Sequence, residues 1–251
     1  MKIWRIILIS VAATLLFGYF LAAIIFVTPL AKNRPCEELK VNVLDADKSN
    51  FVNTQDIVVM LERNHTKYKG LTCGAIDMQA IEKIVKKHPM VNFVSCYQTP
   101  LGVLRVDIKQ RQPVFRVMTE TGGFYMDENR LEMPLSTKHA VYVPIVTGHI
   151  NKQFICNELF DFIVSLQEDD FWSNQITQIH VYPNREIELI PRVGSHSIYL
   201  GSLHKAKQKL EKLLTFYQEG LPRVGWNRYS RIDVRYRNQV VCVKHQTEVT
   251  N

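Results

Sequence analysis

The sequence predicts an α+β protein: an apolar N-terminal helix, a small β-α-α-β-β domain, and a larger mixed domain built on an antiparallel-rich sheet. Three observations predict it. An unbroken apolar run from Ile6 to Val27 holds no Asp, Glu, Lys, Arg or His, and at 1.5 Å rise per residue it suits a hydrocarbon core of about 30 Å. The texture then changes from helix-periodic to short strands near Gln110-Arg111-Gln112-Pro113. No second apolar run follows, so the remainder of the 251 residues must fold around cores of its own.

Taken in order, residues 1–5 form a short basic tail carrying Lys2 and Arg5, and 6–28 the expected single transmembrane helix. Lys32 and Arg34 flank its other end, so charge orients the span only weakly. The brevity of the leading tail against the long trailing part argues for an N-terminus inside the cell. A cleaved signal peptide is the rival reading. Its apolar core would exceed the usual ~7–15 residues, and Thr28-Pro29-Leu30-Ala31 is a poor small-x-small cleavage site.

The first domain is expected over 38–110. Lys40 to Leu44 reads as a strand, and Asn53 or Thr54 caps a helix with Ile57, Val58 and Leu61 inward. A second helix runs from Asp77 to about Lys87, with Met78, Ile81, Ile84 and Val85 on one stripe, and Pro89 stops it. Val91 to Tyr97 and Val103 to Lys109 form a hairpin around Thr99-Pro100-Leu101-Gly102. The second of these alternates, with Leu104, Val106 and Ile108 inward and Arg105, Asp107 and Lys109 outward. Two helices covering one face of a three-stranded sheet make a sound two-layer unit.

The second domain is expected over 111–243, with a polar tail over 244–251. Val114 to Met118 and Phe124 to Met126 flank Thr121-Gly122-Gly123, and Val141 to Val146 is a further strand. Ile155 to Leu166 is a helix by its spacing. Ile176 to Tyr182, Glu186 to Pro191 and Ser197 to Leu200 are strands. Ser202 is expected to cap a long helix carrying Ala206, Leu210, Leu213, Leu214 and Tyr217. Ile232 to Tyr236 and Val240 to Val243 close the fold around Asn238.

A net charge of +7 invites a phosphate-binding reading. The lysines, however, interleave with helix-periodic apolar residues, and no arginine block adjoins an aromatic platform; nucleic acid is not expected. Anionic headgroups or an acidic partner protein are the more natural counterparts. Five cysteines give no disulfide framework: Cys36 and Cys73 lie in polar or turn-like settings and can pair, whereas Cys96, Cys156 and Cys242 read as small buried hydrophobes. The eight histidines are scattered without metal-site spacing. Ser195-His196-Ser197 lacks the glycines of a nucleophile elbow, and Glu168-Asp169-Asp170 reads as a solvated helix end. No enzyme signature, cofactor motif or small-molecule substrate site emerges.

With Val106-Asp107-Ile108-Lys109-Gln110-Arg111-Gln112-Pro113-Val114, Gly123-Phe124-Tyr125-Met126-Asp127, Ile198-Tyr199-Leu200-Gly201 before Lys209-Leu210, and Ile232-Asp233-Val234-Arg235-Tyr236 in this order, the chain resembles the bacterial cell-division family FtsQ/DivIB over essentially its whole length. That resemblance implies that 38–110 is a POTRA-like domain and 111–243 the family's β domain. It implies a non-enzymatic role at the inner membrane and division septum, single-pass, with both domains in the periplasm. It also implies binding to FtsB/DivIC-like and FtsL-like membrane proteins, and through them to the septal peptidoglycan synthase. The family's partner-contact arginine and tyrosine match Arg235 and Tyr236.

Residue chemistry fits such a surface. A terminal strand at a sheet edge leaves N–H and C=O groups for another chain. If Ile232, Val234 and Tyr236 face inward, Asp233, Arg235 and Arg237 face outward; a bulge would instead put Tyr236 on the surface. Asp233, Arg235, Tyr236, Arg237, Asn238 and Trp226 are the candidate partner-binding residues, with Trp226 alternatively closing the core end. Arg111, Pro113 and Asp127 read as interdomain or structural, Asp127 capping its own turn. The runner-up function is a membrane-anchored envelope hydrolase or peptidoglycan-binding protein.

Overall fold

The computed structural model describes residues 2–32 and 34–245. The apolar run folds as a helix, α1 (Lys2–Lys32). The expectation of a transmembrane helix is corrected here: among the described residues no helix is long and apolar enough to cross a membrane. What stands of the predicted fold class is the mixed α/β part. It divides into two compact units, the first ending at Gln110 and the second beginning at Arg111.

In the first unit the strands are β1 (Glu38–Val43), β2 (Val91–Gln98) and β3 (Val103–Gln110), in the order β1-β3-β2. β1 runs parallel to β3 and β2 antiparallel to it. Helices α2 (Thr54–Arg63) and α3 (Met78–Lys86) bury Ile57, Leu61, Ile81 and Val85, as Leu104, Val106 and Ile108 are buried from β3. Asn53 caps α2 through a reciprocal bond pair with Asp56, and Asp77 caps α3 at Ala80 N. Cys36 is a buried free thiol rather than a residue of a polar turn.

The unit is closed by Gln110, whose side-chain oxygen accepts from Phe51 N and Val52 N, both at 2.8 Å. Its amide nitrogen donates to Ser49 O at 2.6 Å. A buried amide fully used in this way turns the irregular 45–52 segment into a fixed wall. The next residue, Arg111, belongs to the second unit, where Nε meets Asp127 at 2.7 Å and Nη2 donates to Leu131 O and Glu132 O. Neighbours in sequence are thus anchored in different cores.

The second unit is a nine-stranded sheet. Its strands are β4 (Pro113–Thr119), β5 (Gly122–Asp127), β6 (Glu132–Pro134), β7 (Ile145–Gly148), β8 (Ile176–Val181), β9 (Ile187–Pro191), β10 (Ser197–Gly201), β11 (Tyr229–Asp233) and β12 (Val241–Lys244). They lie in the order β12-β11-β10-β9-β8-β7-β4-β5-β6. Two helical rods cover one face. One is α4 (Lys152–Phe154), a π turn and α5 (Phe160–Gln167), followed by α6 (Asp170–Gln175). The other is α7 (Ala206–Thr215), a second π turn and α8 (Leu221–Val224). Phe154, Leu159, Ile163, Leu213, Tyr217 and Leu221 from the rods share a core with Phe115, Val146, Ile179, Leu189, Ile198 and Ile232 from the sheet.

Several expected elements shift. The strand expected at 141–146 forms only from Ile145, and β6 and α6 are additions. Ser202 does not cap α7; the N-cap position falls on Lys205, in a left-handed conformation and without a side-chain cap bond. The strand expected over 232–236 ends at Asp233, and the expected tail begins late, because Lys244 still belongs to β12. The rest of that tail, 246–251, lies outside the described residues.

Candidate functional site

β12 forms one border of the sheet and, among the described residues, pairs only with β11. Which of its polar groups point outward follows from its partners. Val234 N, just past β11, donates to Tyr199 O of β10, so the alternation turns Asp233 and Arg231 toward β12. They face Val241 and Val243. His245 N, in the same phase, donates back to Arg228 O at 3.3 Å. The N–H groups of Cys242 and Lys244 therefore point away from β11, toward the open border. A bulge between Tyr229 and Arg231 bends this border.

Side chains alternate in step. Cys242 packs toward the helix-covered core. Val241 and Val243 stand on the opposite face beside Asp233 and Arg231, 40% and 52% exposed. An apolar stripe beside unpaired amides is what an added strand requires.

Next to it lies a charged aromatic cluster on the same face. Tyr199 of β10 carries the Arg231 guanidinium at 4.0 Å and that of Arg235 at 4.5 Å from its ring centroid. Its hydroxyl donates to Glu186 at 2.6 Å. This bond, with partial burial, pushes the Tyr199 phenol up to about 12 and, with Asn184, holds the Glu186 carboxyl below its usual range. Arg231 pairs with Glu188 at 3.0 Å, and Glu188 also accepts from Tyr182 and Ser197. Arg235 forks onto Asp233 through Nε and Nη2 at 3.1 and 2.8 Å. Burial alone would raise the Asp233 carboxyl; the bonds and charge of Arg235 outweigh it and leave the group below its ordinary value.

The pose of the 234–236 segment is set from α7. Lys212 Nζ donates to Val234 O at 2.8 Å and to Tyr236 O, and Lys209 Nζ donates to Leu200 O and Ser202 O at 3.0 and 2.6 Å. Because β10 and β11 run parallel, their carbonyl-bearing ends lie side by side within reach of one helix face. Gly201, at φ +72°, completes the seat: a Cβ there would lie 2.6 Å from Arg235 Cδ.

The strand carrying the candidate residues, read as the terminal edge strand, is interior: β11 lies between β10 and β12. Of the two orientations left open for Tyr236, the structure shows the exposed one. Ile232 and Val234 are fully buried, but the chain turns after β11 and Tyr236 is 45% exposed. Arg235, Arg237 and Asn238 are exposed beside it. Trp226 is half-buried and packs on Tyr217, ring centroids 5.1 Å apart, at the core end. Pro113 opens β4, and Asp127 is wholly buried, accepting from Asn129 N and Leu131 N as well as Arg111. Tyr199, Glu186, Glu188 and the α7 lysines were not among the sequence candidates. The period-2 positions of Tyr199 and Glu188 on strands were the available signal.

The motifs weighed for chemistry resolve into structural roles. Asp169 caps α6 through Phe171 N and Trp172 N. Ser195 Oγ meets His245, while His196 meets the Tyr217 hydroxyl at 2.6 Å, so Ser195 and His196 engage different partners. Among the described residues no group of three or more His, Cys, Asp or Glu is arranged to hold a metal ion.

Comparison with known proteins agrees in both units. Residues 34–109 match the model of the POTRA-like domain, and 112–243 match that described as FtsQ/DivIB, C-terminal related. The cell division protein FtsQ of Rhodothermus marinus is 27% identical over 185 residues, covering 68% of this chain and 67% of that protein. With its second unit matched almost from end to end, the chain belongs to the FtsQ/DivIB family of cell-division proteins.

Proposed function

We propose that this protein is a non-enzymatic scaffold of the division machinery that captures an FtsB/DivIC-like membrane protein by strand addition beside β12. Through that partner it engages an FtsL-like protein and helps recruit and regulate the septal peptidoglycan synthase. It acts at the septum, with both folded units on the outer face of the cytoplasmic membrane. The observation that carries this reading is the border itself: outward N–H groups at Cys242 and Lys244, next to exposed Val241, Val243 and Tyr236. Main-chain bonds would supply affinity, and the side chains flanking the border would supply selectivity.

The test is capture of the FtsB/DivIC-like partner by wild type, Tyr236→Ala and Arg235→Glu, each checked by circular dichroism. Tyr236→Ala removes an exposed anchor, and Arg235→Glu sets a second acid beside Asp233. Both are expected to weaken capture by about tenfold with the fold intact. Undiminished capture by two folded variants rejects this surface.

A further inference from the structure

Arg235 is the residue one would expect to read an acidic group on the incoming strand, yet its charge is already engaged within the chain. Nε lies 3.1 Å from both Asp233 carboxylate oxygens, and Nη2 lies 2.8 Å from Oδ2. That is the side-on fork in which a guanidinium holds a carboxylate most firmly. The stem cannot swing away freely, because it lies over Gly201 and the guanidinium over Tyr199. The end-on edge, Nη1 together with the second N–H of Nη2, is turned away from Asp233. Arg231, the other cation on the Tyr199 ring, lies 3.0 Å from Glu188 through Nε, an ion pair without the fork.

We propose that Asp233 acts as an internal counter-ion that masks Arg235 and thereby sets how strongly the β12 surface selects for acidic partner segments. This rests on the strand-addition reading above. A partner carboxylate must either displace Asp233 from the fork or accept from the end-on edge of a guanidinium whose charge Asp233 already neutralises. Alanine scanning would then mislead, because Asp233 opposes the charged part of recognition while its backbone role supports the site. That backbone role is separable: Asp233 Oδ1 also accepts from Arg235 N at 3.0 Å, shaping the turn after β11. An asparagine oxygen can accept the same bond, so Asp233→Asn removes the mask and keeps the turn.

The full-length protein is titrated with the extracytoplasmic segment of its own FtsB/DivIC-like partner, in two forms: acidic residues intact, or replaced by their amides. Asp233→Asn is expected to bind the acidic form about fivefold tighter than wild type at low salt. The gain vanishes for the amide form and shrinks at high salt. Asp233→Ser, which keeps an acceptor oxygen for the turn, is expected to gain in the same direction. If wild type binds the acidic segment and both variants bind it equally or more weakly, the masking role is overturned while the partner reading stands. If wild type and variants bind neither segment, the partner reading is overturned and the masking role with it.

Discussion

The two borders of the nine-stranded sheet are built to opposite ends. β6 is three residues long, finishes in Pro134, and is tied down from outside: Arg111 bonds Leu131 O and Glu132 O, and Lys152 pairs with Glu132 at 2.8 Å. Short length, a proline and flanking charges are the usual protections against edge-to-edge pairing. β12 is only one residue longer, but it has no proline, carries a single charge in Lys244 at its end, and shows two exposed valines. Among the described residues the two borders are therefore asymmetric, and the proposed strand addition uses the one left open.

Breaking the protected border should have the largest effect, and on stability alone. Asp127→Ala strips a wholly buried carboxylate from Arg111, Asn129 N and Leu131 N. It is expected to cost about 3 kcal/mol in urea unfolding, with partner capture unchanged once the protein is folded. Cys242→Pro copies the β6 device onto β12. It removes an outward amide without touching a ladder bond to β11, and is expected to lower capture about tenfold with little change in the unfolding midpoint. Val243→Lys charges the exposed stripe and should weaken capture several-fold, about 1 kcal/mol, measured by the same titration.

The smallest effect concerns pH and also falls on the β12 side. His196 is buried against Tyr217, and Ser195 next to it bonds His245 just past β12. Burial pushes the His196 imidazole below its ordinary value, outweighing the bond with the Trp226 backbone, and the charge of His245 adds to the lowering. The unfolded chain therefore takes up this proton first. Stability from this site is complete above about pH 6.5 and declines as pH falls from there toward the lowered folded value. Denaturant midpoints at pH 7.5 and 5.5 should differ less in His196→Gln than in wild type.

Periodicity by itself made the regular parts legible. The alternation of Leu104, Val106 and Ile108 located β3 and its buried face, and Asn53 and Asp77 announced their helices because short acceptors at those places satisfy the first amides. The membrane-spanning assignment was overturned, since run length in sequence was its whole support. At the candidate surface, the strand carrying the candidate residues read as the border, but β11 lies between β10 and β12, and spacing left both orientations of Tyr236 open. Strict alternation places it with Ile232 and Val234, but β11 stops at Asp233, where the Asx bond to Arg235 N turns the chain. The α7 lysines were read as solvated face residues because nothing in local spacing reports that two strand ends lie below them. Tertiary placement decided each of these cases.

The paired ammonium groups of α7 have a consequence for how this surface can vary. They hold main-chain oxygens at positions 200, 202, 234 and 236, and every amino acid offers that same atom. Leu200 and Val234 are fixed by the core, but side chains at 202 and 236 can be exchanged across relatives without loosening the grip. A lineage can thus rewrite which neighbour it prefers while the scaffold presenting the preference keeps its shape.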